Sequence, residues 1–319
     1  MKYGILSTAS IAGRFIAGVR ENGQDEIYAI ASRSEEKARN FARQYNIPHH
    51  YGSYQQLFEN PGIDIIYIPS VNVNHYRDGL NALSYRKHAV IEKPFALSLQ
   101  EGSDLFDLAS DMNCFLMEAQ KSVFLPVTVE LKRLLQEEAV GPLRYIDFKM
   151  SHTNHPLDHW MYQLTMGGGA LYGSGTYILE YLMYLFDDPA MTIGGISLPS
   201  HSDTDAIACF HLNTDRGFIV NAAIATNVEF DSKAVFYGTR GNITVRDFWK
   251  ADHLDINMND GSCRQVNFPQ NSEFVFEARH IHECIEKGLI ESPVMTRKRT
   301  LETIRLVDQL QQQFRTGKQ

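Results

Sequence analysis

Cysteine is scarce. The four present, Cys114, Cys209, Cys263 and Cys284, are scattered, and no two form a Cys-x-x-Cys pair. That excludes a dithiol redox motif or a zinc ribbon and fits unpaired thiols in a reducing compartment. An excess of positive charge is missing too: 30 Lys and Arg face 38 Asp and Glu, a net charge of −8. This balance argues against a nucleic-acid partner or an anionic membrane surface, either of which wants a basic face; one local basic site for a phosphate stays open. No stretch approaches the roughly 20 apolar residues of a membrane span. The opening MKYGILSTASIAG has one Lys and a short apolar run, but its pattern continues as alternating strand and helix. It reads as folded structure and not as a secretory signal, so the expected location is cytoplasmic. Repeats, low-complexity tracts and long linkers are absent as well.

What is there is an ordinary globular mixture, 44% hydrophobic and 21% charged, which speaks against disorder. A chain of 319 residues is long for one core, so two domains are expected. Over 1–122, short apolar runs alternate with helical periodicity: strands at 3–7, 27–32, 63–68, 89–91 and 115–117, helices between them. Ser98 with Glu101 reads as a capping box for the helix running to Met112. Such alternation implies right-handed crossovers and a mainly parallel sheet covered on both faces. The texture changes over 123–319. After one helix, longer strand-like runs follow at 144–151, 206–212, 218–226, 233–237 and 242–246, and helices return at 273–287 and 299–314. The expected fold is α/β: an N-terminal Rossmann domain, then an α+β domain on a large, mainly antiparallel sheet.

Ligands of parallel α/β sheets bind outside the carboxyl ends of the strands, and four strand ends carry suggestive residues. The first turn is Ser7-Thr8-Ala9-Ser10-Ile11-Ala12. A dinucleotide fingerprint would read Gly-x-Gly-x-x-Gly/Ala there, its glycines allowing close approach to a pyrophosphate at a helix N-terminus. Small residues keep that spacing at Ser7, Ala9 and Ala12, a pattern that suits a plain tight turn equally well. The second strand ends in Ser32-Arg33-Ser34. An NAD site usually has an acid there for the ribose hydroxyls; a guanidinium with two hydroxyls suits a 2′-phosphate. The expectation is a preference for NADP(H), with NAD(H) also accepted; the plainer alternative is a solvated Arg33 with Ser34 as a helix cap. Ser70 closes the third of these strands and Lys93 the fourth.

Three further stretches complete a pattern: Ser70-Val71-Asn72-Val73-Asn74-His75, Glu92-Lys93-Pro94, and Gly167-Gly168-Gly169-Ala170-Leu171. With the first turn, this set resembles the Gfo/Idh/MocA family of nicotinamide-dependent oxidoreductases over essentially the whole chain. The resemblance implies that 1–122 binds the dinucleotide and that 123–319 holds the substrate. It also implies a homodimer or higher homo-oligomer built on the open sheet. Lys93 matches the lysine beside the nicotinamide and the substrate hydroxyl. Glu92, Asn72 and His75 match residues on the cofactor side. Lys93–Pro94 is a bond at which the cis form is accessible.

The family continues after its triple glycine with an Asp and, four residues later, a His or Tyr. Here Gly173 stands in place of the acid and Tyr177 keeps the second position. Hydride transfer to a carbonyl needs a proton donor, a role left to Tyr177 beside Lys93; the alternative is a Tyr packed between domains. Upstream, His155, Asp158 and Trp160 are candidate substrate contacts. The spacing of His152, His155 and His159 invites a metal, but Pro156 breaks the helical face and no carboxylate or thiolate completes a set, so none is expected. The expected function is an NAD(P)-dependent oxidoreductase acting on a small hydroxyl or carbonyl compound, a sugar, polyol, cyclic diol or dicarbonyl. The alternatives are a nucleotide-binding sensor or scaffold, and a nicotinamide-assisted glycosidase.

Overall fold

The computed structural model describes residues 1–153 and 155–316. They form two compact units: Met1–Lys121 with Ser272–Leu301, and Ser122–Asn271 with the chain from Glu302 onward.

The first unit alternates β1 (Lys2–Leu6), α1 (Ser10–Asn22), β2 (Glu26–Ala31), α2 (Glu35–Gln44), β3 (His49–Tyr51), α3 (Tyr54–Glu59), β4 (Ile65–Ile68), α4 (His75–Ser84), β5 (His88–Glu92), α5 (Leu99–Met112) and β6 (Leu116–Ala119). The six strands are parallel in the order β3-β2-β1-β4-β5-β6. The order reverses between β1 and β4, which makes their carboxyl ends the switch point where such sheets take ligands. All four residues of β4 are buried, as expected for a strand covered on both faces. The helix starts follow their caps: Ser34, Ser53 and Ser98 accept from the N–H groups of Lys37, Gln56 and Glu101. At Ser98 the capping box is displaced, because the Glu101 carboxylate accepts from the Leu97 N–H at 3.1 Å.

The second unit contains α6 (Pro126–Gln136), β7 (Leu143–Ser151), α7 (Thr176–Leu185), β8 (Met191–Pro199), β9 (Asp205–Thr214), β10 (Ile219–Ala225), β11 (Lys233–Gly238), β12 (Gly241–Arg246), β13 (His253–Met258) and β14 (Cys263–Asn267). Its eight strands run in the order β14-β13-β12-β11-β7-β10-β9-β8. Pairing is antiparallel except between β7 and β10. Along β7, buried Ile146, Phe148 and Met150 alternate with the more exposed Tyr145, Asp147 and Lys149. The buried face meets α7, where Phe148 and Tyr181 pack edge to face at 6.3 Å. The other face exposes Ile196 (76%) and Ile219 (53%).

Two helices close the chain, α8 (Val275–Glu286) and α9 (Arg297–Thr316). The sequence division at 122/123 assigns both to the second domain, whereas 272–301 packs in the first unit. The reason is a close helix pair. Gly18 on α1 leaves room for Phe274, which a Cβ at that position would approach to 2.5 Å, and Phe15 meets Phe274 edge to face at 6.1 Å.

Candidate active site

The nucleotide side of the site starts at the end of β1. Ser7 sits at φ +96°, in the left-handed region that favours glycine. A non-glycine residue there costs roughly 1–3 kcal/mol. Its N–H donates to the Ala31 carbonyl at 2.9 Å, so the tight turn survives without its glycine. Thr8 and Ala9 lead into α1. Ala9 is an extended N-cap with no side-chain cap, and the first turn, which includes Ser10, Ile11 and buried Ala12, carries no acid. An uncapped, acid-free helix start is a seat for an anion.

At the end of β2, the buried Ser32 accepts from the Ser34 N–H at 3.3 Å, and Ser34 caps α2. Both hydroxyls therefore serve local structure, and Arg33 is the exposed member of the trio. Sequence reasoning missed Tyr54, the first residue of α3. Burial, then the Asp78 charge, push its phenol up, against the nearby Arg33 guanidinium and a hydrogen bond to the Ser7 side chain. Tyr54 thus lies near both the β1 turn and Arg33; nothing in its helical pattern signals that.

After β4, the Ser70 Oγ is buried without a hydrogen-bond partner among the described residues. Such an orphan costs about 1–3 kcal/mol, and a ligand hydroxyl or amide would satisfy it. Asn72 is buried in a short 3-10 turn. His75 is fully buried; its Nδ1 lies 2.7 Å from the Pro94 carbonyl oxygen and its Nε2 2.8 Å from that of Ser70. Burial lowers its pKa, against the pull of those carbonyls. With both nitrogens facing backbone, His75 acts on the site through the 93–94 turn and offers no nitrogen to a cofactor.

β5 delivers Glu92-Lys93-Pro94, and the Lys93–Pro94 bond is cis. Glu92, 9% exposed, accepts from the Tyr67 hydroxyl at 2.6 Å and from the Lys93 N–H at 3.2 Å. Its carboxylate braces the strand end. One residue past the proline, the Phe95 N–H donates to Glu118 on β6 at 3.1 Å. Glu92, Glu118 and His75 together hold the turn that carries Lys93.

In the second unit, steric demands explain the triple glycine. A Cβ on Gly168 would lie 2.3 Å from the Met161 carbonyl oxygen, and one on Gly169 2.1 Å from the Asp205 Oδ1. Gly169 also sits at φ +113°. Asp205, another residue without a sequence signal, accepts from the Leu171 N–H at 2.8 Å. It thereby anchors the π-helical turn Leu171–Gly175 that leads into α7. Such turns recur at functional sites. Tyr177 is buried in the first turn of α7. Among the described residues, an added Cβ at Gly173 would meet only the Met161 Cε at 3.8 Å, so the place of the family's acid is sterically open there. In the upstream loop the His155 and His159 rings stack at 4.7 Å, and Trp160 lies 5.4 Å from His159. His152 instead faces Trp249 at 5.5 Å. Burial, then the His159 charge, lower the pKa of His155, and its Nε2 is buried with no hydrogen-bond partner among the described residues.

Two family models match the chain. The oxidoreductase family with an NAD-binding Rossmann fold matches residues 1–120, and the GFO/IDH/MocA C-terminal domain matches 128–244. The trans-1,2-dihydrobenzene-1,2-diol dehydrogenase of Xenopus tropicalis is 28% identical, with 98% of each chain covered. The scyllo-inositol 2-dehydrogenase (NADP(+)) of Bacillus subtilis is 24% identical over 98% of this chain and 97% of its own. A 3-ketoreductase from Actinomadura kijaniata, solved with NADP and TDP-benzene, shares the fold at a TM-score of 0.90, 22% identity and 98% coverage of each chain.

Proposed function

The chain belongs to the Gfo/Idh/MocA family of nicotinamide-dependent oxidoreductases, and from that premise we propose that it moves hydride between NADP(H) and a small hydroxyl or carbonyl compound. The observation that carries this reading is Lys93, held in a braced turn on the same carboxyl edge of the sheet as the uncapped start of α1. A dinucleotide fits the residues present. The Ser7–Ala12 turn takes the pyrophosphate, the orphaned Ser70 Oγ takes a polar group, and Arg33 takes a 2′-phosphate, with NAD(H) as the weaker ligand. When bound, the nicotinamide supplies or accepts the hydride. Relatives named as dehydrogenases of a cyclic diol and of an inositol favour a cyclic diol, polyol or sugar as substrate.

Within this reading, the Lys93 ammonium stabilises the developing alkoxide and Tyr177 gives or takes the proton. Gly173 leaves no carboxylate to share that task. His155 and Trp160 contact the substrate. Residues 1–122 hold the nucleotide, and 123–319 supply the substrate side and the contact with a second copy. The open face of the eight-stranded sheet suits a homodimer: it exposes Ile196, Leu198 and Ile219 and carries a groove of about 530 Å³ lined by Ile196, Cys209 and Ala223 among others, apolar surface that a partner would cover.

The test is turnover of a polyol and dicarbonyl panel with NADP(H) at neutral pH. Lys93→Met should lower kcat/KM by about a hundredfold or more, and Tyr177→Phe by about tenfold to a hundredfold, while NADPH binding persists in both. Wild-type rates in Lys93→Met would refute the assignment.

A further inference from the structure

Five polar residues, Ser200-His201-Ser202-Asp203-Thr204, join β8 to β9, and the proposed chemistry uses none of them. The two strands pair antiparallel, and the Ser200 N–H closes the hairpin on the Thr204 carbonyl at 2.9 Å. Three consecutive side chains of this link each hold one backbone group of the segment that carries Trp160. The His201 Nε2 lies 3.1 Å from the Leu157 carbonyl oxygen; a carbonyl only accepts, so the imidazole donates. The Ser202 hydroxyl donates to the Tyr162 carbonyl. Asp203 accepts from the Leu164 N–H at 3.0 Å. The rings of His201 and Tyr162 also meet, 4.4 Å apart. Trp160 is thus bracketed by contacts at 157, 162 and 164. Asp205, the first residue of β9, continues the series at the Leu171 N–H.

The link is itself ordered by a chain of hydroxyls. Ser202 gives its proton to Tyr162, so the Ser200 Oγ, 2.9 Å away, donates to Ser202. The Thr204 Oγ1, 2.9 Å from the Ser200 Oγ, in turn donates to Ser200. The chain runs from buried Thr204 to the Tyr162 carbonyl, and bonds in such a chain strengthen one another. His201, Ser202 and Asp203 are exposed, so core packing does not require them. The link between β13 and β14 shows the ordinary alternative: there Asp260 accepts from the N–H and hydroxyl of Ser262, within its own turn.

We propose that the β8–β9 link positions the substrate segment, with His201, Ser202 and Asp203 as positioning residues that act through Trp160. The inference rests on the reading of His155 and Trp160 as substrate contacts. The three bonds fix backbone groups on both sides of the indole, so they set its place before a substrate arrives. Preorganisation of this kind raises affinity by lowering the ordering cost of binding. Loosening the segment therefore weakens substrate binding and leaves the nucleotide end of the site unaffected.

The experiment compares full-length wild type, Asp203→Ala and Asp203→Asn by two readouts: amide hydrogen exchange over 157–171, followed by mass spectrometry, and steady-state oxidation of trans-cyclohexane-1,2-diol with NADP+. Asp203→Ala should speed the exchange and raise KM for the diol, each by about threefold to tenfold, the worth of one hydrogen bond. Its kcat should stay within about twofold of wild type, and its NADPH affinity and Tm should not change. Asp203→Asn keeps an acceptor for the Leu164 N–H and should restore both readouts. Asp260→Ala, which removes the comparable bond in the β13–β14 link, should move neither. A merely structural role would lower the Tm of Asp203→Ala and leave its KM at the wild-type value; that result overturns the proposal. If the wild type turns over neither this diol nor any compound of the polyol and dicarbonyl panel, the oxidoreductase reading falls. Exchange alone then decides the hold of the hairpin: faster exchange in Asp203→Ala supports it, and unchanged exchange overturns it.

Discussion

Ser7 and His75 show how far single residues were legible. The spacing of Ser7, Ala9 and Ala12 marked the turn, and the structure keeps the turn with Ser7 at positive φ. His75 was readable only as part of a motif; its role depends on carbonyls 5 and 19 residues away, which no local pattern records. Tyr54 was obscure for the same reason, since its neighbours Ser7 and Arg33 lie elsewhere in the chain. His75 also carries a pH signature. Its folded pKa is lowered from about 6.5 by burial, so on acidification the unfolded chain takes up the proton first. The stability it contributes is present above about pH 6.5 and is lost as pH falls toward the folded value. His75→Ala should lower stability by about 1–3 kcal/mol near pH 7.5. It should also lose less stability than the wild type between about pH 7 and pH 5, as read from thermal melts at each pH. Parallel declines in the two proteins would contradict this.

Elements were legible where a single period governed them. The apolar runs of β1, β2, β4 and β5 stood out because both faces of the sheet are covered. β3, with three residues, and β14, with four of five exposed, offered no apolar pattern. β8 was hidden by Gly194, Gly195 and Pro199 within its span. The triple glycine was visible as a motif, but its cause, the approach of Asp205 and Met161, was not. That cause is testable at the level of the turn. Gly169→Ala should cost about 2 kcal/mol or more, from backbone strain plus collision with Asp205. Gly217→Ala, at φ +80° with nothing among the described residues within 4 Å of the new Cβ, should cost only about 1 kcal/mol. Denaturant unfolding of both variants compares them, and equal losses would mean that the Asp205 contact is unimportant.

On the scale of the whole molecule, the α/β character and the two-part organisation were legible, because the change of texture near residue 122 follows a real change from parallel to mainly antiparallel pairing. The return of 272–301 to the first unit was not, since a helix's own period does not name its partner. Among the described residues no helix is long and apolar enough to cross a membrane. On a chain of net charge −8, the proposed 2′-phosphate contact at Arg33 is the step of the reading that nucleotide binding tests most directly. The most direct measurement is therefore a calorimetric titration of the wild type and of Arg33→Ala with NADPH and, separately, NADH. The wild type should bind NADPH more tightly than NADH, and Arg33→Ala should reduce that preference by about tenfold or more, the worth of a charge-assisted contact. Failure of the wild type to bind either nucleotide would contradict a nicotinamide-dependent oxidoreductase.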